Sequence, residues 1–148
     1  MFSMYVKILD FPMDRLLRIS TINFSNISDF RVRSGYIPNG YAGFNWENAC
    51  YITRYHALPN LHLKGFRMAF HHTQTNVAYN DRGASLMMNS PNPRQRFSLH
   101  SFEALSVCHN ELRLFITAYR SNVIVDTKYL ILSNDQLKIF EADWEQID

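Results

Sequence analysis

The feature that most constrains this chain is a run of strict alternation, ELRLFITAYR, from Glu111 to Arg120. Leu112, Leu114, Ile116 and Ala118 fall on one side, with Glu111, Arg113, Phe115, Thr117 and Tyr119 on the other. Successive side chains of a β-strand point to opposite faces, so the pattern predicts a strand with one face against a core. Val123–Leu132 is rich in Val, Ile and Tyr. It is predicted as the hairpin partner, with Ser121-Asn122 in the connection.

The same reading extends along the chain. Strands are predicted over Leu16–Phe24, Cys50–Tyr55, Gly65–Phe70 (alternating Phe66, Met68 and Phe70), Asn76–Asn80, Arg96–His100 and Leu137–Phe140. Turn chemistry separates them: Asn, Ser and Asp between Asn23 and Asp29, Pro38-Asn39-Gly40, Asn80-Asp81-Arg82-Gly83, and the Asn- and Pro-rich loop from Asn89 to Arg94. Gly43, between aromatics, marks a bulge or a close backbone approach. Leu58–Lys64 reads as a loop, and six residues, Phe102–Val107, are the one helical candidate. About eight to ten short strands at spacings near 8–12 residues imply an all-β, two-sheet antiparallel β-sandwich. Residues 1–14 read as an N-terminal arm and residues 15–148 as a single domain.

Composition narrows the function classes. Aromatic residues make up 14% of 148 residues, which suits a pleated, half-buried surface. Fifteen basic against thirteen acidic residues leave a net charge of +2, too near balance to argue for nucleic acid. Arg15, Arg18, Arg31 and Arg33 alternate with apolar residues and read as an exposed strand face rather than a phosphate patch. No apolar run approaches the roughly 20 residues of a membrane-spanning helix, so no membrane insertion is expected. The opening MFSMYVKILDFPM is broken by Lys7, Asp10 and Pro12 and does not read as a secretory signal. For Cys50 and Cys108, one bridge and two buried thiols both fit.

No catalytic constellation is legible, and the chain is expected not to be an enzyme. The serines lack a GxSxG setting, and neither cysteine has an activating neighbour in sequence. Six histidines, His56, His62, His71, His72, His100 and His109, show neither the i, i+4 helical pair nor the i, i+2 strand pair that aims two imidazoles at one ion. They read as scattered surface residues, and no metal or cofactor is expected. A carboxylate pair for glycoside cleavage would have to come from Asp81, Asp126, Asp143, Glu103 or Glu141, all expected to be solvated. The binding candidates are aromatic and amide side chains at loop ends. Tyr36 and Tyr41 could stack on a sugar, with Asn39, Asn80, Arg120 and Asn122 supplying hydrogen bonds. Phe44 and Trp46, two apart on one strand, are expected in the core.

Several segments, in order, carry a resemblance. IPNGYAGFNWENACYI from Ile37, Gly65-Phe66, NVAYN with Gly83, RFSLHS (Arg96–Ser101), LRLFITAYRSN (Leu112–Asn122) and FEADWEQID (Phe140–Asp148) resemble the motifs of a secreted β-sandwich family. That family occurs in bacterial surface proteins carrying the PEP-CTERM sorting signal, with relatives in fungi and small invertebrates. The resemblance covers about Ile19 to Asp148 and implies a jelly roll of galactose-binding-domain type, acting on a glycan or a protein at a cell surface without catalysis. Ser25 and Asn26 stand where the family has paired aspartates, which argues against a structural calcium ion. The family continues past the position of Asp148 through one more strand. The implied sandwich therefore lacks its last strand and leaves an open sheet edge through which copies could pair. The function expected is thus a non-catalytic carbohydrate- or surface-binding module, with edge-strand assembly as the alternative and a glycoside hydrolase the least supported reading.

Overall fold

The computed structural model describes residues 2–10, 18–27, 33–72 and 76–148. The strands are β1 (Phe2–Asp10), β2 (Arg18–Ile22), β3 (Ser34–Tyr36), β4 (Asn45–Glu47), β5 (Ala49–Thr53), β6 (Asn76–Asn80), β7 (Met87–Asn89), β8 (Phe97–Ser106), β9 (Leu112–Arg120), β10 (Val123–Leu132) and β11 (Lys138–Ile147). Two helices, α1 (Arg54–Ala57) and α2 (Lys64–His72), interrupt them. The fold is all-β with antiparallel pairing throughout, as the alternation implies.

A seven-stranded sheet in the order β11-β8-β1-β6-β5-β3 forms the main layer, with β2 also paired to β1. Its two faces are covered differently. On one face, the β9–β10 hairpin and the β4–β7 pair close over a core that includes Phe24, Trp46, Phe97, Leu99, Phe102, Leu130, Leu132, Phe140 and Trp144. On the other, α2 packs Phe66, Ala69 and Phe70 against Ile52, Val77 and Leu105. Neighbouring residues divide between the faces as a pleat requires: Tyr51, Ala78 and Ala104 go to the first core, and Ile52, Val77 and Leu105 to the second.

Three sequence expectations need correction. The described part of the arm, Phe2–Asp10, is a strand at the centre of the sheet, lying between β8 and β6. Met4, Val6 and Ile8 already alternate there, and long-range pairing outweighs the terminal position. Gly65–Phe70 is helical, within α2. Phe66 and Phe70, four apart, satisfy a strand and a helix equally, and their rings stack at 6.3 Å on one helical face. Ala69 beside Phe70 decides for the helix, because both are buried, as alternation would forbid. The one helical candidate, Phe102–Val107, is instead strand up to Ser106, the second half of β8. It is buried on both faces and so carries no alternation to read.

The C-terminal edge is not bare. β11 ends the sheet, and three of its backbone carbonyls are taken up by the hairpin. Lys128 Nζ donates to the Ala142 carbonyl (2.9 Å), and Arg120 donates through Nε to Gln146 O (2.9 Å) and through its terminal nitrogen to Glu145 O (2.8 Å). The strand is also bulged: its register to β8 shifts twice, and Asp143 and Gln146 take positive φ of 50° and 54°. Bulges and covered carbonyls are the means by which an edge avoids pairing with another chain.

Gly65 fixes how closely α2 approaches the sheet. A Cβ there would lie 2.5 Å from Val107 Cα and collide with the Ser106 carbonyl. Gly65→Ala is expected to destabilise the protein by about 1–3 kcal/mol, the range for overpacking a tight contact. Urea denaturation at equilibrium checks this, with Arg67→Ala at an exposed position of the same helix as a comparison.

Candidate functional site

The hairpin β9–β10 is built by its turn and its alternation. Ser121 and Asn122 both have positive φ (51° and 63°), the type I′ geometry whose twist matches the flanking strands. The register pairs Leu112 with Leu132, Leu114 with Leu130, Ile116 with Lys128 and Ala118 with Asp126 on the inward side. Outward, Arg113 pairs with Ile131, Phe115 with Tyr129, Thr117 with Thr127 and Tyr119 with Ile124. The result is an exposed aromatic face. Phe115 is 67% exposed and Tyr129 65%, with ring centroids 6.3 Å apart, and Tyr119 lies further along the same strand as Phe115. Between Phe115 and Tyr119, the Thr127 hydroxyl donates to that of Thr117 at 3.3 Å.

The inward side carries a polar lock. Buried Trp144 on β11 donates its indole N–H to Asp126 Oδ2 at 2.7 Å. Lys128 Nζ lies 5.8 Å and 5.5 Å from the ring centroids of Phe140 and Trp144, and 3.8 Å from Asp126 Oδ2. The Trp144 hydrogen bond, helped by the Thr127 N–H and the Lys128 charge, holds the Asp126 carboxyl below its ordinary value of 3.8 against a smaller opposing effect of desolvation.

The residues nominated from sequence do not converge. Tyr36, at the end of β3, is 67% exposed. Asn39 Oδ1 accepts the Trp46 backbone N–H (2.9 Å), within a turn in which Gly40 takes φ 86°. Tyr41 works inside the fold: its ring stacks on Phe24 at 5.8 Å, its hydroxyl donates to Asn26 Oδ1 (2.8 Å), and its carbonyl accepts the Trp46 indole N–H (3.0 Å). Burial raises the Tyr41 hydroxyl pKa. Asn80 is buried and donates to Ala84 O at 3.1 Å. Arg120 is engaged by β11, and Asn122 is exposed at the hairpin tip. Asn80 follows Tyr79, which shares Ser3 with Leu105 at one end of β8, whereas Arg120 meets Gln146 beside the Ile147–Phe97 pair at the other. The two groups therefore belong to opposite ends of the sheet. Trp46 is in the core as expected, with Phe44 half-buried against Phe97.

Cys50 and Cys108 do not form the bridge, and of the two buried thiols expected only Cys50 is buried, Cys108 being exposed. A cavity of about 80 Å³ is lined by Ala42, Gly43, Phe44, Ser90, Gln95, Arg96 and Phe97, and holds no carboxylate. Carboxylates do meet on an open strand face, where Glu141 and Asp143 come together with His100. Glu141 and Asp143 are among the carboxylates that the sequence offers, but nothing in the sequence joins His100 to them.

No family model, no curated protein and no solved structure matches the chain.

Because the Asp126 pKa is lowered on folding, the stability it contributes is complete above the unfolded value near 3.8. It is lost as pH falls through the lower folded value. The thermal midpoint of Asp126→Asn should therefore lie below that of the native protein at pH 6, and the gap should close in strong acid. A gap that stays constant down to the acid transition would contradict the Trp144–Asp126 assignment.

Proposed function

We propose that the protein is a non-catalytic binding module that takes its ligand on the outward face of β9–β10. One observation carries this reading: Phe115, Tyr129 and Tyr119 stand in the open on one face of the two-stranded hairpin. Large side chains are seldom grouped in solvent without a partner. A glycan is the ligand class that the face fits best. Flat rings supply stacking surface, while the Thr117 and Thr127 hydroxyls, the tyrosine hydroxyls and Arg113 supply hydrogen bonds beside them. Asn122 is exposed at the hairpin tip beside this face, whereas Tyr41 and Arg120 are engaged in holding the fold. The resemblance to the secreted PEP-CTERM-associated sandwich family, with its galactose-binding type of jelly roll, supports the same class of activity.

A second reading, assembly with another protein, is favoured by a different observation. β10 pairs with β9 alone among the described residues, and Val123, Ile124, Val125 and Ile131 are exposed along it. Such an edge could add a strand.

A glycan-array screen of the purified chain, with light scattering over a concentration series, separates the two. Binding to a related set of sugars, lost in Phe115→Ala/Tyr129→Ala and retained in Tyr36→Ala, supports the glycan reading. A silent array with mass rising with concentration, abolished by Val125→Lys, supports assembly. The exposed positions leave the core intact, so the variants are expected to unfold within a few degrees of the native midpoint.

A further inference from the structure

We propose that His100, Glu141 and Asp143 form a binding site for a late first-row divalent cation, zinc foremost. The site is made by two coincident irregularities in adjacent strands. Against β1, β8 skips a residue: Lys7 pairs with Ser101 and Ile8 with Leu99, so His100 has no partner there. Against β11, Ser101 pairs with Glu141 and Leu99 with Trp144, which leaves Ala142 and Asp143 together opposite His100. Ala142 turns into the core, and Asp143, at φ 50°, stands with Glu141 on the exposed side. A bulge that re-aims one side chain in this way is a common device beside functional sites.

One ligand atom from each residue lies within 4.8 Å of the other two, and His100 Nδ1 is 2.6 Å from Asp143 Oδ1. Around zinc, with bonds of about 2.0–2.2 Å, tetrahedral ligands stand about 3.5 Å apart. Side-chain rotation of the exposed carboxylates therefore closes the set without moving the strands. The electrostatics favour a cation. Two carboxylates held this close repel each other, and among the described residues His100 pairs with Asp143 only. Glu141 has no ion-pair partner among the described residues. A divalent ion between His100 Nδ1 and the two carboxylates offsets their charge, with water in the fourth position.

The chemistry of the donors selects the metal. One imidazole and two carboxylates suit zinc, nickel or copper. Calcium asks for six to eight oxygens, which this open face does not supply. Both strands belong to the main sheet, so the ligands are placed by its hydrogen-bond ladder rather than by a loop.

Zinc chloride titrated into the full chain in chelator-free buffer, followed by calorimetry, tests the site. Cobalt(II) serves as a visible-absorption probe of the same position. The expected result is one saturable site with a tetrahedral cobalt band. It should weaken by more than about tenfold in His100→Ala and in Glu141→Gln, the loss being at least that caused by removing an outer-shell partner. His109→Ala, at an exposed histidine elsewhere, should bind as the native chain does. Thermal unfolding in chelator shows that the variants are folded, and added zinc should raise the midpoint of the native chain alone. Equal affinity in His100→Ala and the native chain, no saturable binding, or calcium binding as tightly as zinc would each overturn the proposal.

Discussion

A two-stranded ribbon is marginal in water, so whatever the β9–β10 hairpin presents depends on how it is fastened to the sheet. The fastening is largely one strand, β11. Its Trp144 is buried and gives its indole N–H to Asp126, while Lys128 spans from the Trp144 and Phe140 rings to the Ala142 carbonyl. Leu130, Leu132 and Ala118 complete the contact from the hairpin side. A buried indole donor left without an acceptor is costly, so Asp126 does more than decorate an exposed strand. The arrangement also answers a problem of β11 itself, since the hairpin that it holds covers the carbonyls of Ala142, Glu145 and Gln146.

The parts of the fold that could be read from sequence are those where one face meets solvent. From Leu112 to Leu132 the sequence displays strands, faces and turn together, because inward leucines alternate with outward Phe, Thr and Tyr. The alternation fades where a strand is covered on both sides. β8 has Ala104, Leu105 and Ser106 fully buried in succession, so its second half could pass for a helix. The opposite error at α2 has a related cause. Phe66, Met68 and Phe70 mimic a strand when read two apart, and only the packing of Ala69 and Gly65 against β8 and its neighbours shows the helical face.

The candidate sites were partly legible for the same reasons. Phe115 and Tyr119 were assigned correctly to the face away from the core, and what sequence could not show was that Tyr129 would stand beside Phe115 on that face. The loop tyrosine Tyr41 looked available because turns are usually exposed, yet it is held by Phe24, Asn26 and Trp46. His100 meets Glu141 and Asp143 through two register shifts, which leave no periodic trace in the chain.

The sheet's order has a consequence in time. β1 lies at the centre of the sheet, with Phe2 opposite Ser106 and Leu9 opposite Ser98. Among the described residues, its earlier strand partners are β2, close by in sequence, and a short stretch of β6 at Ser3 and Met4. At synthesis rates of about 5–20 residues per second, β1 waits several seconds for β8 to be made. The hairpin β9–β10 needs no such wait, since a two-residue turn joins its strands. The order of assembly therefore runs against the order of synthesis: the central strand is made early and locked late, with its β8-facing edge open until most of the chain exists.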